Sequence, residues 1–158
     1  MDDLFARLDA LGVAHRTHDH PPVYTVEQSR EHWEAIDAEQ TKNLLLKDDR
    51  GFWLVVMPAE APLDLKALPA VIGSRRLRFA SAEDLDRLLG VRSGSVSAFA
   101  LLNDEGREVR LVLDASLARA SAVAMHPLDN ARTTVVAGPD LVRFLESIGV
   151  TPIVVTLG

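Results

Sequence analysis

The sequence predicts an α+β fold built around a mixed, strongly curved sheet, and three observations lead to it. Segments with helical spacing and end signals recur along the chain, short alternating or β-branched runs fall between them, and their order is neither strict βαβ nor a meander. With 158 residues, 47% of them hydrophobic, and no internal repeat, low-complexity segment or linker, one domain spanning residues 1–158 is expected.

Leu4, Phe5, Leu8 and Leu11 follow Asp2 and Asp3 at helical spacing, and Gly12 is placed to stop a helix of about ten residues. Val13 to His18 fits an edge strand before Pro21-Pro22 halts regular pairing. His18-Asp19-His20 has a spacing that points two imidazoles the same way on a strand, but no third ligand of suitable type lies at a recognisable spacing, so a solvated loop is expected and no metal site. Thr25-Val26-Glu27-Gln28 has the form of a capping box opening a helix to about Ile36.

Thr41 to Lys47 reads as a strand. Period-two alternation puts Lys42, Leu44 and Leu46 on one face and Thr41, Asn43, Leu45 and Lys47 on the other, so Lys42 is a cation on an apolar face. Such a lysine either snorkels to water or holds its charge in a partly desolvated cleft. Asp48-Asp49-Arg50-Gly51 is turn chemistry, and Phe52 to Met57 returns as a strand apolar enough to be buried on both faces. Asp64 caps a short helix at Leu65 to Leu68 that Pro69 should interrupt or kink. Arg75 to Phe79 is a short basic strand. With Lys66, the arginines Arg75, Arg76 and Arg78 form the densest positive cluster, open to a phosphate-contacting reading and to a solvated-face reading alike.

Ser81 caps a helix with Leu85, Leu88 and Leu89 on its apolar side and Gly90 as its stop. Ser93-Gly94-Ser95 turns the chain into a strand at Val96 to Leu102, and Asn103 to Gly106 turns it again into a strand at Val109 to Leu113. Further strands are expected at Ala120 to Met125, Thr133 to Val136 and Pro152 to Val155. Pro139 and Gly149 bracket a last helix with Leu141, Phe144, Leu145 and Ile148 as its stripe.

Composition removes several function classes. The absence of cysteine excludes thiol nucleophiles, disulfides and cysteine-ligated zinc. A net charge of −6 argues against broad nucleic-acid coating, which needs a basic surface, but leaves room for a local patch. The acidic start Met1-Asp2-Asp3 and the lack of an apolar run of membrane-spanning length lead to the expectation of a cytoplasmic protein with no membrane contact. No phosphate-binding loop, dinucleotide fingerprint or His-Glu-x-x-His occurs, and Ser95 with His126 makes a hydrolase pair only on paper, without a Gly-x-Ser-x-Gly elbow. What remains is Lys42, the adjacent amide of Asn43, the small-residue turn Gly94-Ser95 and the imidazole of His126 before Pro127, a set suited to polarising a carbonyl.

Four stretches, in order, resemble the signature segments of the YbaK/ProX aminoacyl-tRNA deacylases: Pro21 to Glu27, Thr41 to Asp48, Ser93 to Phe99 with Asn103-Asp104, and His126 to Asn130. Within that family they look most like the free-standing editing proteins that hydrolyse alanine mischarged on proline tRNA. The resemblance covers nearly the whole chain. It implies a barrel-like mixed sheet flanked by helices, an ester-hydrolysis site without metal or organic cofactor, and the acceptor end of a mischarged tRNA as partner. It also implies a monomer in transient contact with prolyl-tRNA synthetase. Lys42 matches the lysine the family needs for activity. Asn43, Gly94, Ser95, His126, Pro127, Asn130 and Tyr24 form the implied substrate-binding set, and Lys66, Arg75, Arg76 and Arg78 are assigned to tRNA binding. Ala124, Ala98 and Ala100 depart from the glycine or proline that relatives tend to carry, which leaves open a deacylase for another small amino acid. A catalytically silent RNA- or protein-binding module on the same fold is the alternative from a different class.

Overall fold

The computed structural model describes residues 2–23, 28 and 36–157. Eight strands among them form one mixed sheet: β1 (Arg16–Asp19), β2 (Glu39–Lys47), β3 (Phe52–Pro58), β4 (Arg78–Phe79), β5 (Val109–Asp114), β6 (Val123–Met125), β7 (Arg132–Val136) and β8 (Ile153–Val155). Their order is β1-β7-β6-β2-β3-β5-β8, with β4 paired to β2 off this path. The β2–β3, β2–β4, β1–β7 and β6–β7 pairs are antiparallel, and β2–β6, β3–β5 and β5–β8 are parallel. The sheet does not close, since β1 and β8 stand at its two ends.

Alternation along the central strands builds two cores. Leu45, Leu54, Val56, Leu111 and Leu113 face the larger one, where the Asp2–Ala10, Ala82–Leu89 and Gly138–Ser147 helices bury Leu4, Leu8, Leu88, Leu141 and Phe144. Leu46, Trp53, Val55, Met57 and Val112 face the smaller core with Leu68, Leu77 and Leu157. This explains the continuous apolar run of β3, which lies between β2 and β5 and is covered on both faces.

The helix ends follow local chemistry. Ser81 and Asp84 close a reciprocal capping box, and Gly90 ends that helix at φ 64°. Gly138 is required by close approach: a Cβ there would stand 2.1 Å from the Leu117 carbonyl oxygen, at the contact between the Gly138–Ser147 and Ala115–Ala118 helices. In the β2–β3 turn, Asp48 Oδ1 accepts from the N–H groups of Arg50 and Gly51 and Oδ2 from that of Arg75. Burial alone would raise the Asp48 pKa, but these three bonds outweigh it and the carboxyl sits below its ordinary value.

Several expectations are corrected. Val96 to Leu102 is not a strand: Ala98–Asn103 is a 3-10 helix with Ala98, Phe99, Ala100 and Leu101 all buried. A short apolar run buried all round carries no period that separates the two. Pro69 opens the Leu68–Ile72 helix instead of interrupting one, as its missing N–H allows in a first turn, while Asp64 caps the turn before it through Lys66 N–H and Ala67 N–H. The basic strand shrinks to Arg78–Phe79, and the Ala120 to Met125 strand to Val123–Met125. The Ala115–Ala118 helix, capped by Asp114, was not expected. His18 and Asp19 belong to β1 rather than to a solvated loop. The Thr25–Gln28 capping box and the helix to Ile36 lie outside the described residues.

Candidate active site

β2 is paired unevenly. One edge carries β3 along Thr41–Lys47, while the other carries β6 only at Glu39–Gln40 and β4 only at Leu46–Lys47. On this second edge the Glu39 N–H donates to Ala122 O and the Leu45 carbonyl accepts from Ala80 N–H, each at 2.9 Å, so odd-numbered residues face it. Asn43, midway, therefore turns its main-chain N–H and C=O toward a stretch with no strand opposite among the described residues. A cavity of about 400 Å³ fills that gap.

Lys42, Asn43, Gly94 and His126 all line this cavity. Lys42 lies beside Met57 in register, on the face of the smaller core as alternation predicts, and its ammonium donates to the Ala61 carbonyl. Asn43 projects to the other face. Its Oδ1 accepts from Ala98 N–H at 3.0 Å, and its Nδ2 donates to Thr41 Oγ1 at 3.1 Å. Thr41 Oγ1 donates onward to Ala124 O at 2.8 Å. One relay thus joins β2 and β6, two elements of the cavity wall, to the 3-10 helix behind it. Gly94 sits at φ 93°, a conformation suited to glycine, and brings its backbone to the wall.

His126 follows β6. Its Nδ1 lies 2.7 Å from the Arg132 carbonyl, which only accepts, so Nδ1 carries the proton and Nε2 keeps its lone pair. Burial lowers the His126 pKa. The nearby His20 ring, at 6.0 Å between centroids, acts in the same direction, and the Arg132 carbonyl and Asp129 oppose it. The ring is neutral at pH 7 and offers an acceptor.

The other predicted residues stand elsewhere. Ser95 is off the cavity wall, its N–H is taken by Arg92 O at 3.0 Å, and no hydrogen bond joins it to His126, so a Ser95–His126 hydrolase has no geometric basis. Pro127 is buried, and Asn130 Nδ2 donates to Val23 O at 2.9 Å, holding in place a residue of the wall; neither Pro127 nor Asn130 lines the cavity itself. Tyr24 lies outside the described residues. Arg75, Arg76 and Arg78 are exposed and share a second hollow with Asp49, whose carboxylate is 3.6 Å from Arg75; Lys66 is exposed but not part of it.

Sequence reasoning missed Thr41, His20 and Phe79. Thr41 adjoins Lys42, but its role depends on Ala124 across a parallel pair. His20 lines the cavity with Nε2 2.8 Å from Thr133 Oγ1, a contact made across the β1–β7 end of the sheet. Phe79 lines the cavity from β4, and its only sequence signal was an aromatic beside a basic run.

Residues 20–144 match the aminoacyl-tRNA editing domain family. The chain belongs to that family. It is 40% identical over 94% of its length to the prolyl-tRNA editing protein ProX of Acetoanaerobium sticklandii, covering 92% of that protein. It is 36% identical to prolyl-tRNA synthetase associated domain-containing protein 1 of Danio rerio, over 94% of this chain and 83% of that one. Among solved structures, the hypothetical protein APE2540 superposes with a TM-score of 0.75 at 22% identity, over 94% of this chain and 96% of that one. A candidate trans-editing enzyme for prolyl-tRNA synthetase gives 0.74 at 19% identity, over 99% and 94%. At those identities the two structures establish a shared fold.

Proposed function

We propose that this chain hydrolyses the aminoacyl ester of mischarged tRNA in the β2 cavity, with Ala-tRNA(Pro) as its substrate. The observation that carries the reading is the convergence of Lys42, the Asn43 backbone, Gly94 and neutral His126 on one cavity of about 400 Å³ in a member of an editing family. The 40% identity to a prolyl-tRNA editing protein supports proline tRNA as the carrier.

Water attacks the ester carbonyl carbon, the bond from that carbon to the ribose oxygen breaks, and the ribose oxygen takes up a proton, releasing the amino acid and tRNA. An aminoacyl ester is activated, so the site has mainly to position water and stabilise the oxyanion. Lys42 exchanges the Ala61 carbonyl for the developing oxyanion or an adjoining ribose or phosphate oxygen. The neighbouring ribose hydroxyl carries the proton, and His126 forms the wall around the aminoacyl side chain. Ala124, also on that wall, trims the space for a small side chain.

Arg75, Arg76 and Arg78, with Lys66, receive acceptor-stem phosphates. The chain acts as one domain, as a cytoplasmic monomer touching prolyl-tRNA synthetase transiently. No helix among the described residues is long and apolar enough to cross a membrane.

The test is deacylation of Ala-tRNA(Pro) against Pro-tRNA(Pro) by wild type and Lys42→Ala. Wild type should clear the alanyl ester selectively, and Lys42→Ala should fall by roughly 100- to 1000-fold while folding normally. A variant within tenfold of wild type removes Lys42 from catalysis, and an inactive wild type points to a silent binding module.

A further inference from the structure

Phe79 is 57% exposed, one of three large apolar side chains so placed among the described residues, with Val71 and Val154. Scattered exposed apolar residues need no explanation. Phe79 differs from the other two because it lines the cavity that holds Lys42 and His126. Its ring has no aromatic or guanidinium partner among the described residues.

Its position is built, not incidental. β4 has only two residues, paired to Leu46 and Lys47. The chain is pinned immediately after it by Ala80 N–H on Leu45 O, and then by Asp84, which accepts from Lys47 Nζ at 2.7 Å and from Ser81 N–H at 3.0 Å. These contacts hold the ring at the rim and keep it from folding into either core. On its N-terminal side Arg78, Arg76 and Arg75 are exposed.

We propose that Phe79 is the stacking platform for the adenine base of the aminoacylated terminal nucleotide. The inference rests on the deacylase reading. With the ester at Lys42, the ribose lies at the mouth and its base is one sugar ring away, while the preceding phosphates run outward toward the arginines. An exposed aromatic flanked by guanidinium groups is the chemistry that receives an unstacked base and its backbone.

The test compares wild type, Phe79→Ala and Phe79→Trp with two 5′-labelled RNA oligonucleotides, one ending in CCA and one whose terminal base is replaced by an abasic residue. Wild type and Phe79→Trp should bind the CCA end roughly tenfold or more tighter than the abasic end, and Phe79→Ala should bind both alike. On Ala-tRNA(Pro), Phe79→Ala should raise KM by a similar factor and leave kcat within about threefold. Equal binding of the two ends by wild type, or unchanged discrimination in Phe79→Ala, overturns the stacking role. Wild type that discriminates the ends but deacylates nothing overturns the deacylase reading and leaves the base site standing.

Discussion

The Asn43 relay allows two substitutions to separate its structural part from its electrostatic one. Asn43→Ala leaves the N–H of Ala98, a fully buried residue, without its acceptor and removes the donor to Thr41. An orphaned buried N–H costs about 1 to 3 kcal/mol, and Thr41 keeps its bond to Ala124 O, so the loss should be about 2 kcal/mol. Asn43→Asp is nearly isosteric and keeps the acceptor for Ala98 N–H, now strengthened by charge. Its second oxygen faces Thr41 Oγ1, whose single proton must then choose between the carboxylate and Ala124 O. Stability should stay within about 1 kcal/mol of wild type.

Activity should divide differently. Asn43→Asp sets a negative charge into the cavity that must receive an anionic substrate and a developing oxyanion, so deacylation should drop at least tenfold although the fold survives. Urea unfolding monitored by tryptophan fluorescence, with single-turnover deacylation of Ala-tRNA(Pro), reads both quantities. If Asn43→Ala unfolds at the wild-type midpoint and turns over at the wild-type rate, the relay does not hold the wall.

Two further outcomes are expected. His126→Ala should keep alanyl-ester hydrolysis within about tenfold and admit bulkier aminoacyl groups; a uniform loss of about 100-fold or more with a vanished pKa would make the imidazole a general base. Because the folded His126 pKa lies below its ordinary 6.5, its contribution to stability is present above pH 6.5 and is lost as pH falls through the folded value, which pH-dependent urea unfolding of wild type and His126→Ala would reveal. Lys47 and the Ser81 backbone hold the Asp84 pKa at about 2. Its contribution, on the order of 1 to 2 kcal/mol for this partly buried pair, should be full above pH 4 and fade toward pH 2, seen as a shrinking gap between wild type and Asp84→Asn.

The helices at 82–89 and 138–147 were legible because their end signals are local: a capping serine, glycines past the ends, a proline at the start. The β2–β3 hairpin was legible for the same reason, since Asp48 and Gly51 make their turn by themselves. The errors fall where tertiary packing decides. Ala98 to Leu101 are all buried, so polarity gives no alternation and both periods fit; the choice of 3-10 helix is tied to Asn43, which accepts from the first N–H of that helix across a sequence separation no window spans.

The same distinction governs the site. Alternation alone put Lys42 on one face of β2 and Asn43 on the other, and both readings hold in the structure. What alternation cannot express is that a single strand presents both to one cavity. That follows from β6 and β4 sharing an edge of β2 and stopping short of each other, so the wall opens at the strand's side and not over one of its faces. Edge pairing is set by partners 31 or more residues away in sequence, Phe79 for Leu46 and Val123 for Glu39 among them, and register of this kind leaves no periodic trace. Asn43 entered the substrate-binding set through the family resemblance, and in the sequence an amide beside Lys42 has no visible partner to argue otherwise. Once Ala98 and Thr41 are in place, its amide is engaged at both ends, and the groups it leaves for a substrate are those of its backbone.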